Sequence, residues 1–287
     1  MTPRPPRRKR LRALTALLLV GVGARPAWAA APATGPYYDR TLMAEAGARC
    51  RLFTPPLLRS LQVGAAQARS AALALGAAAS ALDAAAARAT TKARTVSCDN
   101  PDLRIAAQRV RAAFMSWSRQ ASLALPGPGG GWRAERPWTK GARWTLFRHA
   151  SLGGRPLTFG LARIDGPVLQ LVADAALPEA PRAYAARLVM RDAARAPEPY
   201  LPRDGAPPVA ASRGFLAQSK GPADPALGPG TAFRFPNAAA DALAGLDPRE
   251  SVRLELVFPA PGRERVVAVL LPVGDFATGR AFLSAGP

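Results

Sequence analysis

The sequence predicts an α+β chain: an N-terminal disulfide-linked helical bundle followed by an antiparallel β-sandwich or partly open barrel with two short helices. Three observations predict it. Between residues 37 and 125 apolar residues recur at the i, i+4 spacing of one helix face. Beyond residue 143 the period falls to two, in short runs bounded by Gly, Pro and Asp. The chain's two cysteines, Cys50 and Cys98, both fall in the helical part, near helix boundaries.

The chain opens with PRPPRRKRLR, a basic run, then ALTALLLVGVGA, an apolar run, then RPAWAAAPA, with Ala27 and Ala29 around Trp28. That is the order of a secretory signal peptide, read over residues 1–30, with cleavage expected after Ala29 or a neighbour. The apolar run is short against the ~20 residues of a membrane span. An uncleaved N-terminal anchor is the alternative. No second long apolar run follows, so no transmembrane segment is expected after cleavage and the chain is expected to be exported, periplasmic or secreted. The whole sequence carries 39 Lys and Arg against 19 Asp and Glu; without the leader's seven bases, 32 remain and the net charge is +13. Such a surface attracts polyanions. In an exported protein these are anionic lipids or acidic glycans; nucleic acid is a poor candidate, because no recognition helix or RNA-binding motif is present.

Within 37–125, Tyr38, Leu42, Ala46 and Cys50 share a face of a first helix. Thr54-Pro55 starts a second, which stops near Gly76. Ser80 and Asp83 start a third, and Asn100-Pro101-Asp102 a fourth. The fourth carries an apolar stripe of Leu103, Ala107, Val110, Phe114, Trp117 and Ala121. The middle helices are mostly Ala, which favours helix but buries little area. Cys50 and Cys98 are expected to pair, because export places them in an oxidising compartment and their number is even. Closing that loop is worth about 4 kcal/mol in the chain-entropy model. Free structural thiols, or a catalytic or metal-binding cysteine, are the alternatives; a metal site would need more ligands, and His149 is the chain's one histidine.

Residues 126–143 read as a linker by composition, around LPGPGGGWRAERPW. Strands are expected in RWTLFRHA, PLTFGLARI, PVLQLVAD, AYAARLVMRD, TAFRFP, SVRLELVF and RVVAVLLPV. Asn237 and Asp275 are expected to cap the two short helices. Residues 192–230 read as a long Pro/Gly-rich loop with one strand-like island, GFLAQSK.

The C-terminal segment FRFPNAAADALAGLDPRESVRLELVFPAPGRERVVAVLLPVGDFATGRAFL is similar in its order of parts to the end of invasion-associated locus B-type periplasmic proteins. These end in a short helix, a hairpin and a turn into a last helix; here the turn is Gly274-Asp275-Phe276. YYDRTLMAEAGARC, SCDNPDLR and VGDFATGRAFL together resemble functionally uncharacterised exported alphaproteobacterial proteins. Neither resemblance implies catalytic residues.

No catalytic grouping emerges. His149 lacks a partner motif and reads as a surface or turn residue. Asp165, Asp174, Asp192, Asp247, Glu250 and Asp275 follow no paired-acid spacing. Trp132, Trp138 and Trp144 are spaced six apart, with Arg133, Arg136, Lys140 and Arg143 interleaved. The tryptophans suit a seam between the helical and β parts, or an exposed surface that stacks on sugars. Trp132, Arg133, Arg136, Trp138, Lys140 and Arg143 form the candidate patch for an anionic glycan or lipid headgroup. The expectation is a non-enzymatic envelope protein that binds a protein or such an anionic partner, with no cofactor and no metal. The alternatives are a hydrolase with a carboxylate site under the 192–230 loop, and a carrier of a small apolar ligand inside the β part.

Overall fold

Pro, Gly and Asn mark three of the helix ends in the first part of the chain. The structure is a computed structural model, and it describes residues 34–136, 143–164, 168–177, 182–201, 208–262 and 264–285. Four helices come first: α1 (Gly35–Arg49), α2 (Pro55–Ala74), α3 (Ala79–Thr95) and α4 (Pro101–Ser118). Pro55 occupies the first position of α2, where a missing N–H costs nothing. Gly76, at φ 89°, ends that helix while Ala77 N–H bonds back to Ala72 O. Asn100 caps α4, its side chain accepting from the N–H groups of Asp102 and Leu103.

α1 packs against both α2 and α3. The centre of this layer is Met43, Ala46, Ala93, Leu103 and Ala107. Three of these five are alanine, so the area removed from water is small. Cys50 and Cys98 are disulfide-bonded, with Cα atoms 5.5 Å apart across a sequence separation of 48. The bond ties the end of α1 to the turn before α4.

The rest of the chain forms β1 (Ser122–Leu125), β2 (Trp132–Glu135), β3 (Trp144–Leu152), β4 (Arg155–Arg163), β5 (Leu169–Ala176), β6 (Ala185–Arg191), β7 (Ser212–Leu216), β8 (Ser219–Pro222), β9 (Gly230–Phe235), α5 (Asn237–Ala244), β10 (Ser251–Phe258), β11 (Arg265–Pro272) and α6 (Phe276–Ser284). All pairings are antiparallel. One sheet has the order β1-β2-β3-β4-β5-β9-β8 and the other β11-β10-β6-β7. No ladder among the described residues joins the two into a closed barrel. A single buried cluster draws Phe159, Leu171 and Phe233 from the larger sheet, Leu188 and Leu254 from the smaller, and Phe276 and Phe282 from α6. Alternation explains the membership: Val252, Leu254, Leu256 and Phe258 of β10 are all buried.

Several expectations need correction. The stretch read as a linker, 126–143, carries β2, which joins the large sheet beside β1 and β3. α4 stops at Ser118 and the chain turns at once into β1, so the helical part ends before 125. Four-residue strands between Gly- and Pro-rich turns are too short to display a period. The 192–230 segment contains two strands in different sheets. Ala217 N–H bonds to Ala186 O of β6, and the next residue, Gln218, donates to Arg234 O of β9. The chain thus changes sheets between adjacent residues. Asn237 is the first helical residue of α5, and Pro236 holds the cap position.

The start of the same segment is pinned by a buried ion pair. Arg191 Nε and Nη2 donate to the two carboxylate oxygens of Glu250 at 2.8 and 2.7 Å. Glu250 also accepts from the backbone N–H of Asp247 and Tyr200, and Arg191 donates to Ala196 O. Both side chains are almost wholly buried, and every element of the pair is hydrogen-bonded back to the fold.

Candidate functional site

A regular strand places alternate residues on opposite faces, and β3 breaks that rule once. Trp144 faces Ala162 across the ladder, but Leu146 faces Leu161, so a bulge falls between them. Leu146 and Arg148 are buried towards the core. Trp144, Phe147 and His149 stand together on the other face of the sheet. Their rings form a ladder, with centroids 6.2 Å apart for Trp144 and Phe147 and 5.4 Å for Phe147 and His149. Trp144 and Phe147 are half-buried and His149 is exposed.

The bulge rests on Gly160, the cross-strand partner of Phe147. Its φ is 154°, and a Cβ there would lie 2.0 Å from Leu146 O. Gly160→Ala is therefore expected to cost about 2–3 kcal/mol, as a backbone position that excludes a side chain. Thermal melts of the variant, with near-ultraviolet circular dichroism to follow the ring ladder, check this.

Charge borders the ladder on two sides. Arg133 lies opposite Phe147 on β2, is exposed, and pairs with Glu135 at 2.7 Å. The Arg143 guanidinium lies 6.0 Å from the Trp144 ring centre. A depression of about 680 Å³ between β3 and the turn before β2 is lined by Arg133, Glu135, Phe147, His149, Gly130 and Gly131. Its size suits a few sugar units or another small polar ligand.

Two members of the expected patch are elsewhere. Trp132 is 3% exposed; it packs on Phe159 and Phe276, and its indole N–H donates to Val273 O at 2.7 Å. Arg136 has no exposed surface. Its guanidinium donates to Ser118 O at the end of α4 and to Phe282 O of α6, and stacks 4.0 Å over the Phe282 ring. Burial lowers its pKa from the ordinary arginine value. The cause is local: the β1–β2 hairpin returns the chain to the end of α4, whose free carbonyl needs a donor. Arg136 thus ties the end of α4 to α6 at the joint with the helical layer, and Trp132 packs α6 onto the larger sheet. Arg133 and Arg143 border the outer face, and Trp138 and Lys140 lie outside the described residues.

A row of polar side chains crosses the same face. His149 Nδ1 is 3.1 Å from Thr158 Oγ1, and Thr158 is the cross-strand partner of both His149 and Asp174. Asp174 is fully buried. One carboxylate oxygen accepts from Asp224 N–H at 2.8 Å and lies 3.5 Å from Arg143; the other accepts no hydrogen bond. Burial raises its pKa above the ordinary range, against the Asp224 amide and Arg143. With no accessible surface, Asp174 holds the 223–230 turn down on the sheet and reaches no substrate.

The sign of its pH effect follows. A raised folded pKa means the folded state holds the proton more tightly, so Asp174 lowers stability as pH rises above the unfolded value near 3.8. Asp174→Asn is therefore expected to be more stable than the wild type at pH 7 and to lose that advantage below pH 3.8. Paired melts at the two pH values check it.

The remaining candidate acids among the described residues are held within the fold. Asp247 accepts from Arg249, Asp192 accepts from Ala194 N–H, and Asp275 accepts from Gln67 of α2. Asp165 lies outside the described residues. No group of three or more His, Cys, Asp or Glu among the described residues is placed to hold a metal ion, and no helix among them is long and apolar enough to cross a membrane. The aromatic ladder escaped sequence reading because strict alternation puts Trp144 with Leu146, not with Phe147.

Compared with known proteins, the chain matches no family model, no curated protein and no solved structure.

Proposed function

We propose that this is an exported, non-enzymatic envelope protein whose larger sheet binds an acidic glycan on its outer face. The observation that carries the reading is the Trp144–Phe147–His149 ladder bordered by Arg133 and Arg143. Flat rings offer sugars an apolar face at low entropic cost. Guanidinium groups beside them offer paired donors to uronate carboxylates. The Glu135 carboxylate orients Arg133 and tempers its charge. The leader-like N-terminus and the disulfide support an extracytoplasmic setting. The two sheets that share one core support a sandwich as the scaffold. The helix, hairpin and final helix of residues 237–284 keep the order of parts of locus B-type proteins, which supports kinship with such envelope proteins.

The test is binding to polygalacturonate oligosaccharides, with neutral dextran as the control. Acidic oligosaccharides are expected to bind in a salt-sensitive manner. Phe147→Ala is expected to weaken binding about fivefold to thirtyfold, as loss of one stacking contact of about 1–2 kcal/mol. Equal affinity for dextran, or no effect of Phe147→Ala, would overturn the reading.

A further inference from the structure

The apolar stripe of α4 is only partly buried. Leu103 and Ala107 enter the helical core, but Val110, Phe114 and Trp117 do not become fully covered. The reason lies in α2, which presents Ser60, Val63, Gly64 and Gln67 on the side towards them. Small and polar side chains cannot fill the space that a row of leucines would. What remains is a groove of about 420 Å³ between α2 and α4, within the ~300–1,000 Å³ usual for small-molecule sites. Leu57, Phe114 and Trp117 form its walls, and Thr278 and Ala281 of α6 its floor.

Two polar features give the groove a direction. Arg40 of α1 reaches its rim and donates from Nη1 to Gly64 O at 2.7 Å. That uses one of five guanidinium N–H donors, and no carboxylate among the described residues pairs with Arg40. At the floor, Thr278 Oγ1 is buried and makes no hydrogen bond, not even to the preceding turn of its own helix. A mostly apolar trough with the Arg40 guanidinium at its rim, unpaired with any carboxylate among the described residues, is complementary to one tail and one negative head.

We propose that this groove binds a single-chain anionic amphiphile: an acyl tail lies along Leu57, Phe114 and Trp117, and a carboxylate or phosphate head meets Arg40. This site is separate from the sheet face, lies in the helical layer, and places the apolar-ligand site among helices instead of inside the β part.

The experiment uses the protein with its Cys50–Cys98 bond formed, titrated with dodecanoate, with lysophosphatidylglycerol and with dodecanol, and followed by calorimetry and Trp fluorescence. Saturable one-to-one binding of at least one anionic ligand is expected, tighter than dodecanol by about tenfold, the worth of one charge-assisted contact. The tighter of the two anions identifies a free fatty acid or a lysophospholipid as the source. Arg40→Ala is expected to remove the preference for the anion, so that the anionic ligands bind no tighter than dodecanol. Gly64→Leu is chosen to fill the groove: the atoms nearest a Cβ at Gly64 belong to the Arg40 side chain, at an ordinary 3.6 Å, and helix propensity improves. It is expected to abolish binding of all three. Absence of saturable binding, equal affinity for dodecanol and the anions, or full binding by Gly64→Leu would overturn the proposal. None of these results bears on polygalacturonate binding at the sheet.

Discussion

Replacing Cys50 and Cys98 together by alanine is expected to lower stability by about 4 kcal/mol, the entropy of leaving a 48-residue loop open in the unfolded chain. The effect should be that large because little else holds the helical layer. Three of the five residues at its centre are alanine, and α4 leaves part of its apolar stripe to the groove. Urea unfolding of the double variant against the wild type, with a reduced wild-type control, measures it. The variant and the reduced protein should agree, and amide exchange should rise first in α1 and α3. A loss well below the usual ~2–4 kcal/mol range would mean that these alanine-rich helices hold by their own packing.

Glu250→Ala is expected to cost about 3–5 kcal/mol, the usual penalty for stranding a buried partner charge. The substitution leaves Arg191 without its carboxylate in a site where both side chains are almost wholly buried. It also removes the acceptor for the amides of Asp247 and Tyr200. Changing Arg191→Met and Glu250→Leu together should restore much of the loss, because an ion pair and a well-packed apolar pair differ little in net stability. The recovery should be partial, since the two amides stay unpaired. Denaturant midpoints of the single and double variants decide this, and exchange at Tyr200 N–H reports release of the loop start. A double variant no better than Glu250→Ala would assign the loss to the amides instead of the charge.

Much of the fold was legible because its periods are local. Pro55, Gly76 and the Asn100 cap mark their helix ends as read, although α3 starts at Ala79 after Ala78 and Ser80 does not cap it, and Val252, Leu254, Leu256 and Phe258 announce β10 by alternation. The cysteine pair followed from the leader-like N-terminus and an even cysteine count. Other features depend on tertiary context. Arg136 reads as a surface arginine in a linker, yet the carbonyls of Ser118 and Phe282 draw it inside. β1 and β2 are too short to show a pattern. The sheet change at Ala217 and Gln218 has no signal beyond a polar pair in a strand-like run. The aromatic face required knowing where β3 bulges, and that position is set by contact with Gly160 on the next strand.

The central claim is that the outer face of β2 and β3 is the binding surface. The most direct test is an amide NMR titration of the protein with a uronate oligosaccharide. The account predicts shifts at Arg133, Trp144, Phe147 and His149, including the Trp144 indole N–H, with α1 to α3 unmoved. Saturable shifts confined to the helices, or to the β6–β7 edge of the smaller sheet, would contradict it.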